Sequence, residues 1–137
     1  MFCPECGAPA VDGLTCWDQL GYLLAWEVQD AELAAIHFLT VSSYNLQHPA
    51  NITDTAIEWL RAAYIDHLDG VLPLAEVQLR MGKRFAGAQR VLKPKGERGA
   101  VLRLWPMTIA DVYLPDQPQG AAERVQAWAA SIRRELG

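Results

Sequence analysis

No stretch of this chain is apolar for long enough to cross a bilayer, and no basic patch followed by an apolar run marks a secretory leader. These absences predict a protein of the reducing cytoplasm with no membrane partner, where structural disulfides are rare. Cysteine is scarce: Cys3, Cys6 and Cys16 are the only three, all near the start. In a reducing compartment such a cluster points to metal or redox chemistry. There is no Ser/His/Asp set, phosphate-cradling glycine loop or HExxH sequence, so the common hydrolase and nucleotide-binding signatures are missing. Nor is there an internal repeat, a low-complexity tract or a convincing helix-turn-helix.

Positive charge is nearly missing from the first half. Residues 1–70 carry ten acids and one base, Arg61, a net −9; residues 71–137 carry eleven bases and six acids, a net +5. Two arrangements fit this split. An acidic half can pack beside a basic half, or a basic strip can serve an anionic partner. The strip runs from Arg80 through Lys83, Arg84, Arg90, Lys93, Lys95 and Arg98 to Arg103, interrupted by Glu97 alone. Lys83, Arg84, Arg90, Lys93 and Lys95 are its candidate anion-binding residues. Only Phe85 and Trp105 interleave with it, so base stacking on a nucleic acid has weak support. What is abundant is apolar: 51% of 137 residues, enough for one globular domain spanning 1–137.

The apolar residues recur at helical steps. Residues 1–14, with Pro4, Gly7, Pro9 and Gly13, read as a knuckle. From Thr15, a cap with Asp18 three residues on, Trp17, Leu20, Leu24 and Val28 mark a first helix. Asp30 caps a second helix to about Gln47, because Pro49 pushes His48 out of the α region. Thr53 or Asp54 caps a third, with Ile57, Leu60, Tyr64, His67 and Leu68 on its inner stripe and Gly70 ending it. A fourth starts at Pro73 and runs to about Leu92. KPKGERG reads as a loop, AVLRLW as a short strand or extended stretch, and TIADVYL as a brief turn capped by Thr108. In the turn, Asp111 caps locally or pairs with an arginine. The last helix, roughly 119–136, turns Val125, Trp128, Ala129, Ile132 and Leu136 to one side. The expected fold is all-α: an antiparallel bundle of about five helices with an N-terminal zinc knuckle at 1–16.

Two thiolates three residues apart chelate one ion, and the glycine after the second lets the backbone turn around it. A redox pair is the competing reading, but such pairs sit at a helix start after a strand, and no strand precedes Cys3. Cys16 adds a third thiol at a helix N-terminus, whose dipole favours thiolate. The fourth ligand must be His37, His48 or His67. Cys16 falls as far before the hairpin turn at Asp30 as Tyr44 falls after it, so the two positions face each other. His48 is one turn further, about 6 Å away, whereas His37 is roughly 10 Å up the hairpin. A continuous helix separates His37 from His48 by about 16 Å, so one ion cannot take both. The expected set is Cys3, Cys6, Cys16 and His48 around Zn2+, with Trp17, Tyr44 and Gln47 as neighbours that orient or shield it. His48 as a turn residue capping backbone carbonyls is the plainer alternative.

His37 and His67 flank the turn near Asn51 at similar distances, and both fall on expected inner stripes, with Glu27 and Asp66 within reach. Two histidines and a carboxylate in a helical bundle make an open metal site of hydrolytic or thiol-transfer type. The plainer alternative is that each histidine bonds a neighbour and completes the core.

CPECG at Cys3–Gly7, LTCW at Leu14–Trp17, HFLTVSSYNLQHP at His37–Pro49, WPMTIADV at Trp105–Val112 and VQAWAASI at Val125–Ile132 together resemble a bacterial family known only as a domain of unknown function. The likeness spans nearly the whole chain. Its pattern falls here on Cys3, Cys6, Cys16, Trp17, His37, Tyr44, Gln47, His48, Pro49, Trp105, Thr108, Asp111 and Trp128. The resemblance implies a shared fold and polar cluster, without an activity, and His67 is not part of the pattern. The combined expectation is a zinc-stabilised cytoplasmic binding or adaptor module for a protein or anionic partner. The rival is a metal-dependent enzyme, of hydrolase or thiol-transfer type, with a histidine-containing site among its helices.

Overall fold

The computed structural model of the chain describes residues 2–84, 92, 93 and 99–137, with the backbone alone for 82–84. Among these residues the protein is all-α, and seven helices stand where five are expected. They are α1 (Cys16–Ala25), α2 (Ala31–Ala35), α3 (His37–Gln47), α4 (Asp54–Leu68), α5 (Leu74–Arg84), α6 (Ile109–Val112) and α7 (Ala121–Leu136). Short 3-10 turns at Trp26–Val28 and Pro49–Asn51 join them. No helix is long and apolar enough to cross a membrane among the described residues.

The helix starts follow the expected chemistry. Thr15 accepts from the Asp18 amide while Asp18 accepts from the Thr15 amide, closing a capping box on α1. Asp30 caps α2 through the Leu33 amide, and Thr53 caps α4 through Ala56. Asp111 is a cap too: its carboxylate takes the Thr108 amide at 2.9 Å, which turns TIADV into α6. Gly70, at φ +80°, stops α4 in a conformation that side chains resist.

Three expectations are corrected. The helix from Asp30 to Gln47 is two helices, because Ile36 leaves helical geometry at φ −109°, ψ 27°. The buried stripe of α1 is Cys16, Gln19, Leu20 and Leu23, so Trp17 and Val28 face solvent at 67% and 88% exposure. Leu92 pairs with Ile52 in an isolated bridge and is not the end of a helix. Residues 85–91, assigned to the fourth helix by sequence, and most of KPKGERG lie outside the described residues. AVLRLW forms no strand, and its Arg103 amide donates to the Glu5 carbonyl at 2.9 Å.

One core gathers side chains from the knuckle to α7, with Leu23, Leu33, Tyr64, Ile109, Val125, Trp128 and Ile132 fully buried. α7 packs on α2, α3, α4 and α6. Tyr64 of α4 meets Ser43 of α3 at 2.9 Å, and Phe38 lies edge-on to His67, so α3 and α4 run in opposite directions. The acidic and basic halves touch through Arg133, whose guanidinium grips both oxygens of Asp69 at 2.9 Å, and through Lys93 near Asp54 at 3.6 Å.

Candidate metal centre

The segment ahead of Cys16 folds chiefly through its own backbone bonds. The Cys3 amide donates to the Ala8 carbonyl and the Gly7 amide to the Cys3 carbonyl, a tight loop that turns Cys3 and Cys6 toward one point. Gly7 sits at φ +78°, where an L side chain is strained. α1 begins at Cys16 directly after its cap, and α3 ends at Gln47, leaving His48 as the first residue past the helix. The start of α1 lies beside the end of α3, where Cys16 faces Tyr44 and His48.

The ligand atoms of Cys3, Cys6, Cys16 and His48 all lie within 4.8 Å of one another. Among the described residues this is the one group of three or more such side chains that can hold a metal ion. His48 Nε2 is 3.4 Å from Cys16 Sγ and 3.6 Å from Cys3 Sγ. Zinc bonds of about 2.3 Å to sulfur and 2.0–2.1 Å to nitrogen, at tetrahedral angles, place such atoms ~3.6 Å apart. The three sulfurs are free of disulfides.

The imidazole is set for this role by its other nitrogen. His48 Nδ1 lies 2.6 Å from the Tyr44 carbonyl, which only accepts, so Nδ1 carries the proton. In neutral imidazole that leaves a lone pair on Nε2, directed at the sulfurs. A lone pair facing thiolates is repulsive unless a cation or a proton lies between. The Tyr44 ring stacks on His48 at 3.9 Å, its hydroxyl reaches Cys16 Sγ at 3.6 Å, and exposed Trp17 tilts against it at 5.9 Å.

Without an ion the cluster must share protons. The Cys16 thiol is held well below its ordinary value, chiefly by its hydrogen bond with Cys6, against burial and with help from His48 and Tyr44. Cys6 moves the opposite way, held protonated by the same bond and by burial. Burial pulls His48 down, but its bonds to Cys16 and to the Tyr44 carbonyl outweigh that and raise it to about 9. Burial and the Cys16 sulfur keep the Tyr44 hydroxyl neutral.

Glu5 has no role in the sequence reading and a definite one here. It is 6% exposed, and its carboxylate takes the Ala50 amide at 2.8 Å, two residues after His48. Its backbone carbonyl holds Arg103. An acid buried within CPEC fastens the knuckle to the turn that carries the fourth candidate ligand. Glu5→Ala is expected to cost about 1.5–3 kcal/mol, the range for a hydrogen bond to a charged group. Urea unfolding would measure it, and a change below ~0.5 kcal/mol would show that the contact contributes nothing.

The structure does not bring His37 and His67 together. The break at Ile36 leaves His37 about half exposed, with Nδ1 2.9 Å from both Glu27 oxygens. His67 has its own partner: its Nδ1 donates to the Leu72 carbonyl just past α4. Gln47 also points away from the thiols: its amide donates to the Met107 carbonyl at 2.7 Å and accepts from Trp128 Nε1 at 3.2 Å. Of the expected anion-binding residues, Arg90, Lys95 and the side chains of Lys83 and Arg84 lie outside the described residues, while Lys93 sits beside Asp54.

The chain belongs to a family of unknown function, DUF5946, whose model matches residues 1–137. No curated protein and no solved structure matches it.

Proposed function

We propose that Cys3, Cys6, Cys16 and His48 hold one zinc ion that ties the knuckle to the helices, and that the single domain so assembled works as a binding module in the cytoplasm. The observation that carries this reading is the convergence of four ligand atoms from three separate segments within 4.8 Å. Three soft thiolates and an imidazole suit zinc, and four protein ligands close a tetrahedral shell against water. A closed shell supports a structural ion over one that activates water for hydrolysis.

A binding role is supported by what the knuckle leaves outside. Phe2, Val101, Leu102 and Leu104 are 70%, 79%, 56% and 77% exposed. Exposed apolar side chains gathered in this way mark interaction surfaces more often than chance exposure does. The basic run of Lys83, Arg84, Arg90, Lys93 and Lys95 in the sequence supports an anionic partner, whose binding would weaken steeply with salt.

Metal analysis of the full chain, purified without added ions, tests the central claim. One zinc per chain is the expected result, lost in His48→Ala and kept in His37→Ala. A second ion that disappears with His37→Ala would favour the enzyme reading. A chain that folds fully with no bound metal would end the zinc reading.

A further inference from the structure

If four protein ligands fill the shell, chemistry at this centre must occur on a ligand, and the three sulfurs are not equivalent. Cys6 and Cys16 are 1% and 9% exposed, whereas Cys3 is partly open. The Cys6 sulfur accepts from the Ala8 amide at 3.4 Å, and the Cys16 sulfur bonds the Tyr44 hydroxyl at 3.6 Å. Hydrogen bonds of this kind draw electron density from a thiolate and blunt it as a nucleophile. Among the described residues, only His48 Nε2 reaches the Cys3 sulfur, and that nitrogen is itself a proposed ligand.

Two cavities meet at Cys3. One, of about 120 Å³, is walled by Phe2, Pro4, Ala8, Ala10, Thr15 and Cys16 besides Cys3. The other, of about 420 Å³, lies between Phe2, Pro4, Gly7, Leu102 and Leu104. Neither has a charged side chain in its wall. A zinc ion with three thiolates carries a net single negative charge, which sustains nucleophilicity at sulfur and repels anions. An apolar approach to an anionic nucleophile selects small neutral electrophiles.

We propose that Cys3 is a metal-held nucleophile that accepts an alkyl group from small, neutral, apolar alkylating agents. This rests on the zinc reading above and adds a reaction to it. In the step, a Cys3 Sγ lone pair forms the S–C bond at an sp3 carbon as the bond from that carbon to its leaving group breaks. The leaving group departs with the electron pair as an anion, so no oxidant, reductant or proton donor is needed. Cys3 becomes a thioether, a weaker ligand, and the centre rises from one negative charge to neutral. A thioether is a poor leaving group, so each chain reacts once. The expected behaviour is that of a stoichiometric scavenger or sensor.

The zinc-loaded full chain would be treated with methyl iodide and, separately, with iodoacetate, then mapped by peptide mass spectrometry and assayed for zinc. One methyl group on Cys3 is expected, with Cys6 and Cys16 modified only after denaturation. Relative to glutathione under the same conditions, methyl iodide should outpace iodoacetate by about tenfold or more, because the apolar, anionic setting rejects a carboxylate. The rate should not change with added zinc. Labelling of Cys6 or Cys16 in the folded chain, an equal preference for the two reagents, or a rate suppressed by added zinc would each overturn the proposal. The last would mean that dissociated thiol reacts. A chain that holds no zinc would instead defeat the reading beneath it, and the zinc assay separates the two failures.

Discussion

Cys16→Ser is expected to abolish metal binding and to remove at least about 3–5 kcal/mol of stability, the cost of breaking one partner out of a buried charged set. The loss should be uneven along the chain. Besides the packing of Cys6, Ala8 and Leu14 on the core, the knuckle is tied to the rest by the cysteine and histidine cluster, the Glu5 contacts with Ala50 and Arg103, and the Gln19 side-chain amide. The helices around Trp128, Tyr64 and Ile132 have their own apolar contacts. Circular dichroism should therefore keep most of its helical signal while limited proteolysis opens the segment ahead of Cys16. A chelator should reproduce this in the wild-type chain and do nothing further to the variant, since metal binding and local folding are the same free energy here. A variant that keeps the wild-type melting temperature would show that the knuckle needs no ion. The pH dependence has a definite sign. With His48 raised to about 9 and Cys6 held protonated, an ion entering at neutral pH must displace protons from both. Affinity should rise with pH across neutrality and fall on acidification, which titration of zinc against a competing chelator would measure.

The ends of helices and the meeting of Cys16 with His48 are legible in the sequence because both are local matters. Caps depend on one side chain and the amide three residues on, as at Thr15, Asp30 and Thr53. Counting back from Asp30 sets Cys16 opposite Tyr44 with His48 a turn beyond, and their side chains lie 3.6 Å and 3.4 Å from that sulfur. The face of His37 is not legible, because it depends on a break that no local signal marks. A continuous helix puts residues 33, 37, 40 and 44 on one side. Leu33, Thr40 and Tyr44 are buried, but the break at Ile36 makes His37 the first residue of α3, where it is half exposed beside Glu27. Trp17 misleads because hydropathy counts its ring as core, whereas one edge of it covers Tyr44 and the rest meets solvent. Glu5 is invisible because an acid between two cysteines reads as a solvated loop residue until its receiving amide, 45 positions away, is known.

Trp128→Ala should cost about 3–5 kcal/mol, because it empties the largest fully buried side chain at the contact of α7 with α3. Volume is one part of this, and the hydrogen bond to Gln47 is another. Gln47 is 1% exposed and joins the Trp128 indole to the Met107 carbonyl, so it links α7, α3 and the segment before α6 in one chain of bonds. Trp128→Phe keeps much of the ring but strands the Gln47 oxygen, for which about 1–3 kcal/mol is expected. Gln47→Leu removes the acceptor and strands both the indole N–H and the Met107 carbonyl, at a similar cost. Combined, the two changes should lose less than their sum, since an indole or amide left without its partner is counted in each single variant but not in the double. A coupling of about 0.5–3 kcal/mol in urea unfolding, with unchanged denaturant slopes, is the expected result. Strict additivity would show that the bond between indole and side-chain amide does not connect the two residues energetically. Zinc content should stay at the wild-type level in Trp128→Phe, because Gln47 holds its position on α3 through Met107 and the ligand at His48 is fixed by the Tyr44 carbonyl. Loss of the ion in that variant would mean that the aromatic core, and not the hairpin of α1 and α3, aligns the centre.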